Sequence, residues 1–183
     1  QCTFVLGEVI DHYIRGRAAT NIVLLDATKA FDRVDFSKLF KLLLDRELCP
    51  LTTQLLVSLY IQQSMKVRWK GAMSATFPST NGVKQGGVLS PVLFCIYMNV
   101  LLDRLKYLAI GAHIGNLFVG ALGYADDLAL IANSVSAMDG MLQECSKFAD
   151  EYSVKFNSSK SQSLFFDCKN TNFKGPACIP LEW

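Results

Sequence analysis

The sequence predicts an α+β domain in which helices pack on one face of a mainly antiparallel sheet. Three observations support this class. Apolar runs at 22–25, 117–122 and 128–132 have the length of strands, and the last two flank acidic residues typical of a hairpin tip. Amphipathic segments with helical spacing separate them. The expected order is strand, helices, strand pair, helix, hairpin, helix and strand.

The helices and the first strand are predicted from apolar spacing and from Pro and Gly. The run at 22–25 is wholly apolar, as expected of a strand buried on both faces, and it ends at Asp26. Helices are expected at 3–15, 36–44, 51–61, 90–105 and 136–152. In the fourth, Ser90 is expected to be the N-cap and Pro91 the first helical residue.

Two further segments are predicted to be strands. Residues 65–69 alternate like a half-buried strand, and Lys70-Gly71 suits a turn into a partner strand that ends near Phe77. Residues 154–166 suggest two short strands around a polar turn, whereas 81–87 is a Gly-rich loop.

Composition favours one packed domain over a disordered chain. Of the 183 residues, 51% are hydrophobic and 19% charged, enough to bury a sizeable core. The net charge is only +2, weaker than is usual for an independent nucleic-acid-binding domain. If the chain does act on nucleic acid, we expect much of the phosphate-binding surface to lie outside it.

The six cysteines suggest a reducing environment rather than a metal site. None forms a C-x-x-C pair, and neither His12 nor His113 is near a cysteine in sequence, which argues against zinc. There is no signal peptide and no run apolar enough to span a bilayer, so we expect an intracellular protein of nucleus or cytoplasm. Both chain ends look truncated, since the first residue is Gln1 and the last is Trp183.

Three aspartates stand beside the predicted strands. Asp26 ends the first strand, and Asp126 and Asp127 sit between the two strands of the hairpin. Buried carboxylates are costly without a compensating charge, and Mg²⁺ prefers such oxygen ligands. Two ions about 3.5–4 Å apart stabilise both the attacking and the leaving oxygen in phosphoryl transfer. The alternative is that each Asp is an ordinary turn or cap residue.

Four motifs, in order, resemble those of reverse transcriptases from non-LTR (LINE-type) retrotransposons. They read L-D-A-T-K-A-F-D-R-V at 25–34, N-G-V-K-Q-G-G-V-L-S-P at 81–91, Y-A-D-D at 124–127 and K-F-N-S-S-K at 155–160. The resemblance covers nearly the whole chain. It implies a polymerase palm with the end of the fingers over residues 1–183, with the thumb and most of the fingers lying outside.

This resemblance assigns metal ligands and an acid. Asp26 and Asp126 would bind two Mg²⁺ ions, for which Mn²⁺ could substitute. Asp127 would assist them, and the backbone carbonyl of Ala27 would add a ligand. Lys160 would protonate the leaving pyrophosphate as a general acid; otherwise it is a solvated surface lysine. The motif usually carries Gly where this chain has Ser153, which bears on the shape of the turn.

The resemblance also assigns a nucleotide site. Phe31 would be a steric gate against the ribose 2′-hydroxyl, and Gln85 would contact the incoming nucleotide. Gly86 and Gly87 would allow close backbone approach. Without the motifs, Phe31 reads as a core aromatic and the glycines as a plain loop. Asp32 is expected to hold its loop by hydrogen bonds.

Contacts to nucleic acid are assigned less directly. Lys66, Arg68, Trp69 and Lys70 form a basic and aromatic strand that suits primer or template, and equally suits a half-exposed strand with a core Trp. Better candidates for phosphate contact lie close to the motifs: Lys29, Arg33 and Lys84.

The implied activity is RNA-directed DNA polymerisation, in which deoxynucleoside triphosphates are added to a DNA primer on an RNA template. We expect residues 1–183 alone to have little activity. Three alternatives stay open: an inactive nucleic-acid-binding remnant, a group II intron maturase-like enzyme or telomerase, and an RNA-dependent RNA polymerase. Ala125 and Phe31 argue against the last, since those enzymes usually have Gly before Asp-Asp and lack an aromatic gate.

Overall fold

The computed structural model describes residues 2–166 and the strand at 177–180, and every structural statement below concerns those residues. The helices are α1 (Cys2–Arg15), α2 (Phe36–Asp45), α3 (Pro50–Ile61), α4 (Ser90–Leu108) and α5 (Val135–Tyr152), with a 3₁₀ turn at Phe31–Arg33. The strands are β1 (Thr20–Asp26), β2 (Ser64–Met65), β3 (Arg68–Trp69), β4 (Ala72–Met73), β5 (Phe77–Pro78), β6 (His113–Ile114), β7 (Leu117–Phe118), β8 (Ala121–Tyr124), β9 (Asp127–Ala132), β10 (Gln162–Phe166) and β11 (Ala177–Pro180).

The chain divides into two compact units. The first comprises Gln1–Thr28 and Met98–Trp183, and the second comprises Lys29–Tyr97. The first unit contains a five-stranded antiparallel sheet in the order β11-β10-β1-β9-β8. The predicted α+β class with an antiparallel sheet is thus confirmed.

Strand β1 lies at the centre of this sheet. Successive residues of a strand point to opposite faces, and the adjacent Ile22 and Val23 are both buried. The sheet is therefore covered on both faces around β1, as the wholly apolar sequence of this strand predicts. Leu130 and Ile131 of neighbouring β9 are likewise both buried.

Helix α1 covers one face of the sheet. Its buried residues Val9 and Tyr13 pack with Ile22 of β1, Ile131 of β9 and Val119 in one apolar cluster. The helix ends at Arg15, and Gly16 follows it, as predicted. This packing fixes the face of the sheet on which the even-numbered residues of β1 lie.

Helix α5 is anchored at both ends. Ser134 caps its first turn by accepting a hydrogen bond from the N–H of Ala137, and Cys145 and Phe148 are buried. The helix ends at Ser153, whose φ of 57° lies in the left-handed region. Glycine adopts this conformation at no steric cost, which explains physically why Gly is usual at this position of the motif.

The second unit holds α2 and α3, which pack through an aromatic cluster. The ring of Tyr60 lies edge-on to Phe36 and Phe40. Asp35 caps α2 by accepting hydrogen bonds from the backbone N–H groups of Ser37 and Lys38. The hydrogen bond from the Ser37 hydroxyl lowers the pKa of the Asp35 carboxyl.

Three predictions of local structure are wrong. Residues 65–69 are not half-buried, because every side chain of this hairpin from 64 to 78 is exposed. Residues 154–166 contain one strand, β10, and only an isolated bridge at Phe156. Ser90 is not the N-cap of α4, because the helix begins at Ser90 itself. Its hydroxyl instead donates a hydrogen bond to the carbonyl of Lys84.

The predicted hairpin at 65–77 does form, although it is split into two short ladders, β2 with β5 and β3 with β4. The thiols of Cys2, Cys49, Cys95 and Cys145 are free, while Cys168 and the side chain of Cys178 fall outside the described residues. Within the described part of the chain, no helix combines the length and the apolar character needed to cross a membrane.

Candidate active site

Two of the three aspartates face each other across the central ladder. Asp26, the last residue of β1, is the direct antiparallel partner of Asp127, the first residue of β9. Residues paired in this way carry their side chains on the same face of a sheet. Two strand ends that are about a hundred positions apart in sequence thus bring two carboxylates together in the first unit.

The third aspartate lies in the turn between β8 and β9. Ala125 and Asp126 form this two-residue turn, and Ala125 has a φ of 54°. A non-glycine residue held in this region costs about 1–3 kcal/mol and is typical of functional sites. Asp127 stands directly opposite Asp26 in the ladder, with Asp126 next to it in the turn. The assignment of Asp26 and Asp126 as metal ligands, with Asp127 assisting, stays a prediction.

A loop from 155 to 161 is tied to the end of β1. The N–H of Asn157 donates to the carbonyl of Asp26, and the N–H of Thr28 donates to the carbonyl of Lys155. These two bonds form the bridge between Ala27 and Phe156 without using the Ala27 carbonyl. The loop is therefore hydrogen-bonded to the backbone on both sides of Ala27.

Lys160 comes from the same loop and meets the first aspartate. Its ammonium nitrogen lies 3.9 Å from a carboxylate oxygen of Asp26. Ser161, which is buried, accepts a hydrogen bond from the N–H of Asp26 and donates one to the carbonyl of Asn157. Lys160 is among the residues predicted from the motif, whereas no role was predicted for Asn157, which lies within that motif, or for Ser161, which directly follows it.

Asp26, Asp127 and Lys160 line one cavity of about 650 Å³ in the first unit. Its polar end is formed by Asp26, Asp127, Lys160 and the exposed Tyr124. Its apolar wall comes from α1 and the sheet, at Leu6, Leu24, Leu122 and Ala129. The cavity joins a charged end able to bind cations and phosphates to an apolar wall.

The carboxylates of the site suit a metal ion whose remaining ligands are water and substrate phosphates. Within residues 2–166, no three His, Cys, Asp or Glu side chains converge into a complete metal cluster. Mg²⁺ commonly takes only one or two carboxylates and completes its shell with water and substrate phosphates. Asp26 and Asp127 beside an open cavity fit this mode of binding. The Lys160 ammonium supplies the local positive charge next to Asp26.

In the second unit, Phe31 lies in a 3₁₀ turn and stacks on Phe94 of α4, with ring centroids 4.4 Å apart. Phe31 is only partly buried, so one part of the ring faces outward. The stack fixes the orientation of the ring. Phe31 therefore has an aromatic packing partner and an accessible surface, and its role as a steric gate stays a prediction.

The Gly-rich loop is held against this same turn. The side-chain amide of Gln85 donates to the Asp32 carboxylate at 3.1 Å, and the N–H of Val83 donates to the carbonyl of Phe31. The expectation that Asp32 holds the loop by hydrogen bonds is confirmed. Lys84 and Gln85 are exposed beside it.

The glycines of this loop differ in what requires them. Gly86 has a φ of 79° with no protein atom close to the position of a Cβ, so within the protein its requirement is conformational. Close approach of its backbone to a nucleotide stays a prediction. A Cβ on Gly87 would lie 2.7 Å from the Ser90 hydroxyl. The tightest backbone approach belongs to Gly82, which sequence analysis passed over: a Cβ there would lie 2.9 Å from the backbone of Asp32.

Comparison with known proteins agrees with this fold and these motifs. A family model described as reverse transcriptase (RNA-dependent DNA polymerase) matches residues 1–175. The chain belongs to the reverse transcriptase family. Its relatives are proteins of non-LTR retrotransposons, and the family uses divalent metal ions.

Two relatives illustrate the likeness. The retrovirus-related Pol polyprotein from type-2 retrotransposable element R2DM of Drosophila melanogaster is 30% identical over 181 residues, which are 97% of this chain and 16% of that protein. The Pol polyprotein from type-1 retrotransposable element R2 of Popillia japonica is 29% identical over 184 residues, 97% of this chain and 25% of that protein. The chain thus spans a quarter or less of these relatives.

Solved structures share the fold at low identity. Apo telomerase from Candida tropicalis, truncated from its C-terminal domain, superposes with a TM-score of 0.72 at 13% identity, over 98% of this chain and 38% of that one. Telomerase from Candida albicans in complex with a fragment of telomeric RNA gives a TM-score of 0.69 at 16% identity, over 97% of this chain and 32% of that one.

Proposed function

We propose that this chain supplies the catalytic centre for RNA-templated DNA synthesis within a longer retrotransposon protein. The reaction joins the 3′-hydroxyl of a DNA primer to the α-phosphate of a deoxynucleoside triphosphate, and pyrophosphate leaves. The observation that carries the proposal is the pairing of Asp26 with Asp127 across the β1–β9 ladder, beside the turn that holds Asp126.

In this proposal Asp26, Asp126 and Asp127, together with the Ala27 carbonyl, hold two Mg²⁺ ions. When bound, the ions would lower the charge on the triphosphate and stabilise the attacking and leaving oxygens. The carboxylates are oriented before substrate binds: β1 and β9 fix Asp26 and Asp127 in the ladder, and Ser161 fixes the backbone of Asp26. Such preorganisation is the main contribution of a protein to phosphoryl transfer.

The remaining residues bind and orient the substrates. Lys160 donates a proton to the leaving pyrophosphate, and Phe31 excludes the ribose 2′-hydroxyl. Gln85 contacts the incoming nucleotide, and Gly86 and Gly87 shape the loop that presents it. For Gln85, the hydrogen bond to Asp32 supports a fixed starting position of the amide.

The test is primer extension by a polymerase-competent protein that contains this chain. Asp26→Asn and Asp127→Asn each retain the shape of the side chain and remove its charge. We expect each to lower extension at least about a hundredfold, the scale on which a single electrostatic group contributes. Asp150→Asn, at an exposed position of α5, is the matched control and should extend normally.

A second measurement isolates cation binding from catalysis. Titration of the chain with Mn²⁺, followed by electron paramagnetic resonance, should show tight sites that are lost in Asp26→Asn and kept in Asp150→Asn. The proposal is contradicted if Asp26→Asn binds Mn²⁺ as tightly as Asp150→Asn does and Asp127→Asn extends the primer normally.

A further inference from the structure

The hairpin from Ser64 to Pro78, called here the basic ribbon, is an exposed element that the proposed catalytic centre does not use. Lys70 and Gly71 form its tight turn with φ values of 44° and 89°. Positive φ at both turn residues is characteristic of a type I′ turn, whose twist matches that of the flanking strands. The ribbon therefore has a defined shape.

The ribbon exposes large apolar and aromatic side chains. Trp69, next to the turn, is 73% exposed, although Trp is usually well covered in a folded protein. Met65, Val67, Met73 and Phe77 are exposed as well. A surface of this kind in a folded protein marks an interaction site.

The charge of the ribbon identifies its partner. No Asp or Glu occurs between Glu47 and Asp103. The same stretch contains four cationic residues: Lys66, Arg68 and Lys70 lie in the ribbon, and Lys84 lies after it. Within residues 2–166, no carboxylate forms an ion pair with the ribbon cations. A purely cationic surface without internal partners complements a polyanion.

The register of the strands separates the cations from the indole. Arg68 pairs with Met73 and Trp69 with Ala72, so Arg68 and Trp69 point to opposite faces of the ribbon. A strand that crosses the ribbon tip can place phosphates near the cations and one base against the indole. Within a duplex both faces of each internal base are already stacked, so an unpaired strand offers Trp69 the accessible base faces.

We infer that the basic ribbon binds single-stranded RNA, with phosphates on Lys66, Arg68 and Lys70 and an unpaired base stacked on Trp69. The choice of RNA rests on the proposed function: in RNA-templated synthesis the primer is paired, and the unpaired strand is the template. The ribbon is then a template-binding element in addition to the carboxylate centre.

The test measures binding of a fluorescein-labelled, unstructured RNA 12-mer to the chain by fluorescence anisotropy at several salt concentrations. Trp69→Ala should weaken binding by about five- to 150-fold, because stacking contributes about 1–3 kcal/mol per base. Trp69→Phe should retain most of the binding affinity.

The phosphate contacts are tested by the salt dependence of binding. Lys66→Ala, Arg68→Ala and Lys70→Ala combined should reduce the salt slope by about 2, at about 0.7 per phosphate contact to a single strand. Lys41→Ala, at an exposed position of α2, is the control and should leave the slope unchanged.

Tryptophan emission reports the stack directly. The chain has only two tryptophans, Trp69 and Trp183, so Trp183→Phe leaves Trp69 as the sole emitter. Single-stranded RNA should quench its emission, and an RNA–DNA duplex of the same sequence should not.

The outcomes separate this inference from the proposed function. In the longer protein, the ribbon variants should raise the template KM while retaining kcat, whereas Asp26→Asn should abolish extension and bind RNA normally. The inference is overturned if the chain binds no single-stranded RNA, if the ribbon variants bind like the unsubstituted chain, or if a duplex quenches Trp69 equally. Normal RNA binding by the ribbon variants would assign the exposed surface to a protein partner instead.

Discussion

The ammonium nitrogen of Lys160 lies 3.9 Å from a carboxylate oxygen of Asp26, although the two residues come from different ends of the sequence. The contact arises because the loop at 155–161 is hydrogen-bonded to the chain on both sides of Ala27. A cation at this position offsets the charge of a carboxylate that is proposed to bind metal. In the proposed reaction, the same ammonium would donate a proton to the leaving pyrophosphate.

The first prediction concerns Lys160. Lys160→Ala should tighten Mn²⁺ binding by up to about fivefold, because an exposed ion pair contributes about 0.2–1 kcal/mol and its loss leaves Asp26 more negative. The same variant should lower kcat for extension by about 10²-fold or more if the ammonium donates a proton. Lys160→Arg keeps the charge but is a poor proton donor, so it should bind Mn²⁺ normally and extend slowly. Full activity of Lys160→Ala would show that this lysine is not the proton donor and serves only as a counter-ion to Asp26.

The second prediction concerns Ser161, whose side chain positions the backbone of Asp26. Ser161→Ala removes the hydroxyl that accepts from the Asp26 N–H, while the Asn157 carbonyl still accepts from the backbone N–H groups of residues 160 and 161. The lost acceptor should lower the free energy of unfolding by about 1–3 kcal/mol. In the longer protein we expect kcat to fall more than KM changes. Ser161→Thr should restore part of both values, and Ser146→Ala on the exposed face of α5 should change neither. Urea denaturation and steady-state kinetics measure the two effects.

The third prediction separates the gate from the stack at Phe31. Phe31→Val removes the ring and should raise incorporation of ribonucleotides relative to deoxynucleotides. Phe94→Leu removes the stacking partner, at a cost of about 0.5–1.5 kcal/mol beyond the loss of buried area, but leaves the Phe31 ring in the chain. It should therefore retain most of the sugar discrimination. If the two variants lose discrimination equally, orientation by the stack matters as much as the ring itself.

The fourth prediction concerns the turn that carries Asp126. Ala125 has a φ of 54°, a conformation that glycine adopts without strain. Ala125→Gly should therefore raise the free energy of unfolding by up to about 1 kcal/mol, partly offset by the greater flexibility of glycine in the unfolded chain. Ala149→Gly within α5 is the matched control and should lower stability by about 0.5–1 kcal/mol. Destabilisation of similar size in both variants would contradict strain at Ala125.

The fifth prediction is a pH dependence that originates in Cys145. Burial raises the pKa of this thiol from its ordinary 9.0 to about 12. The unfolded chain therefore loses this proton near pH 9, while the folded chain keeps it until about pH 12. The associated stability is complete below pH 9 and is lost as pH rises towards 12, with a slope of at most about 1.4 kcal/mol per pH unit.

Urea denaturation at pH 8, 9, 10 and 11 tests this relationship against Cys145→Ala, which lacks the thiol. The unsubstituted chain should lose stability more steeply above pH 9 than the variant does, and the two curves should converge. Parallel curves for the two proteins would show that ionisation of Cys145 is not linked to folding.

Apolar periodicity, together with Gly and Pro at some boundaries, was sufficient to predict most of the helices and strands. The wholly apolar run at 22–25 indicates a strand buried on both faces because both sets of alternating side chains are apolar, and the structure agrees. The extents of α1, α2, α3 and α5 follow similarly from apolar spacing, helped by Gly16 after α1 and by Pro50 at the start of α3. The hairpin at 65–77 shows the limit of this reasoning, because alternation at 65–69 resembles half-burial although every side chain of the ribbon is exposed.

The sequence by itself determined the family and the residue types of the site, because the motifs at 25–34, 81–91, 124–127 and 155–160 are local strings with a fixed order. Only the tertiary structure decided which aspartate stands opposite Asp26, since strand register depends on pairing between distant segments and a shift of one residue would turn Asp127 to the other face. The same holds for Ser161, whose role depends on a hydrogen bond across 135 positions of sequence. Local patterns fix what a segment can form, whereas long-range pairing fixes which of its side chains meet.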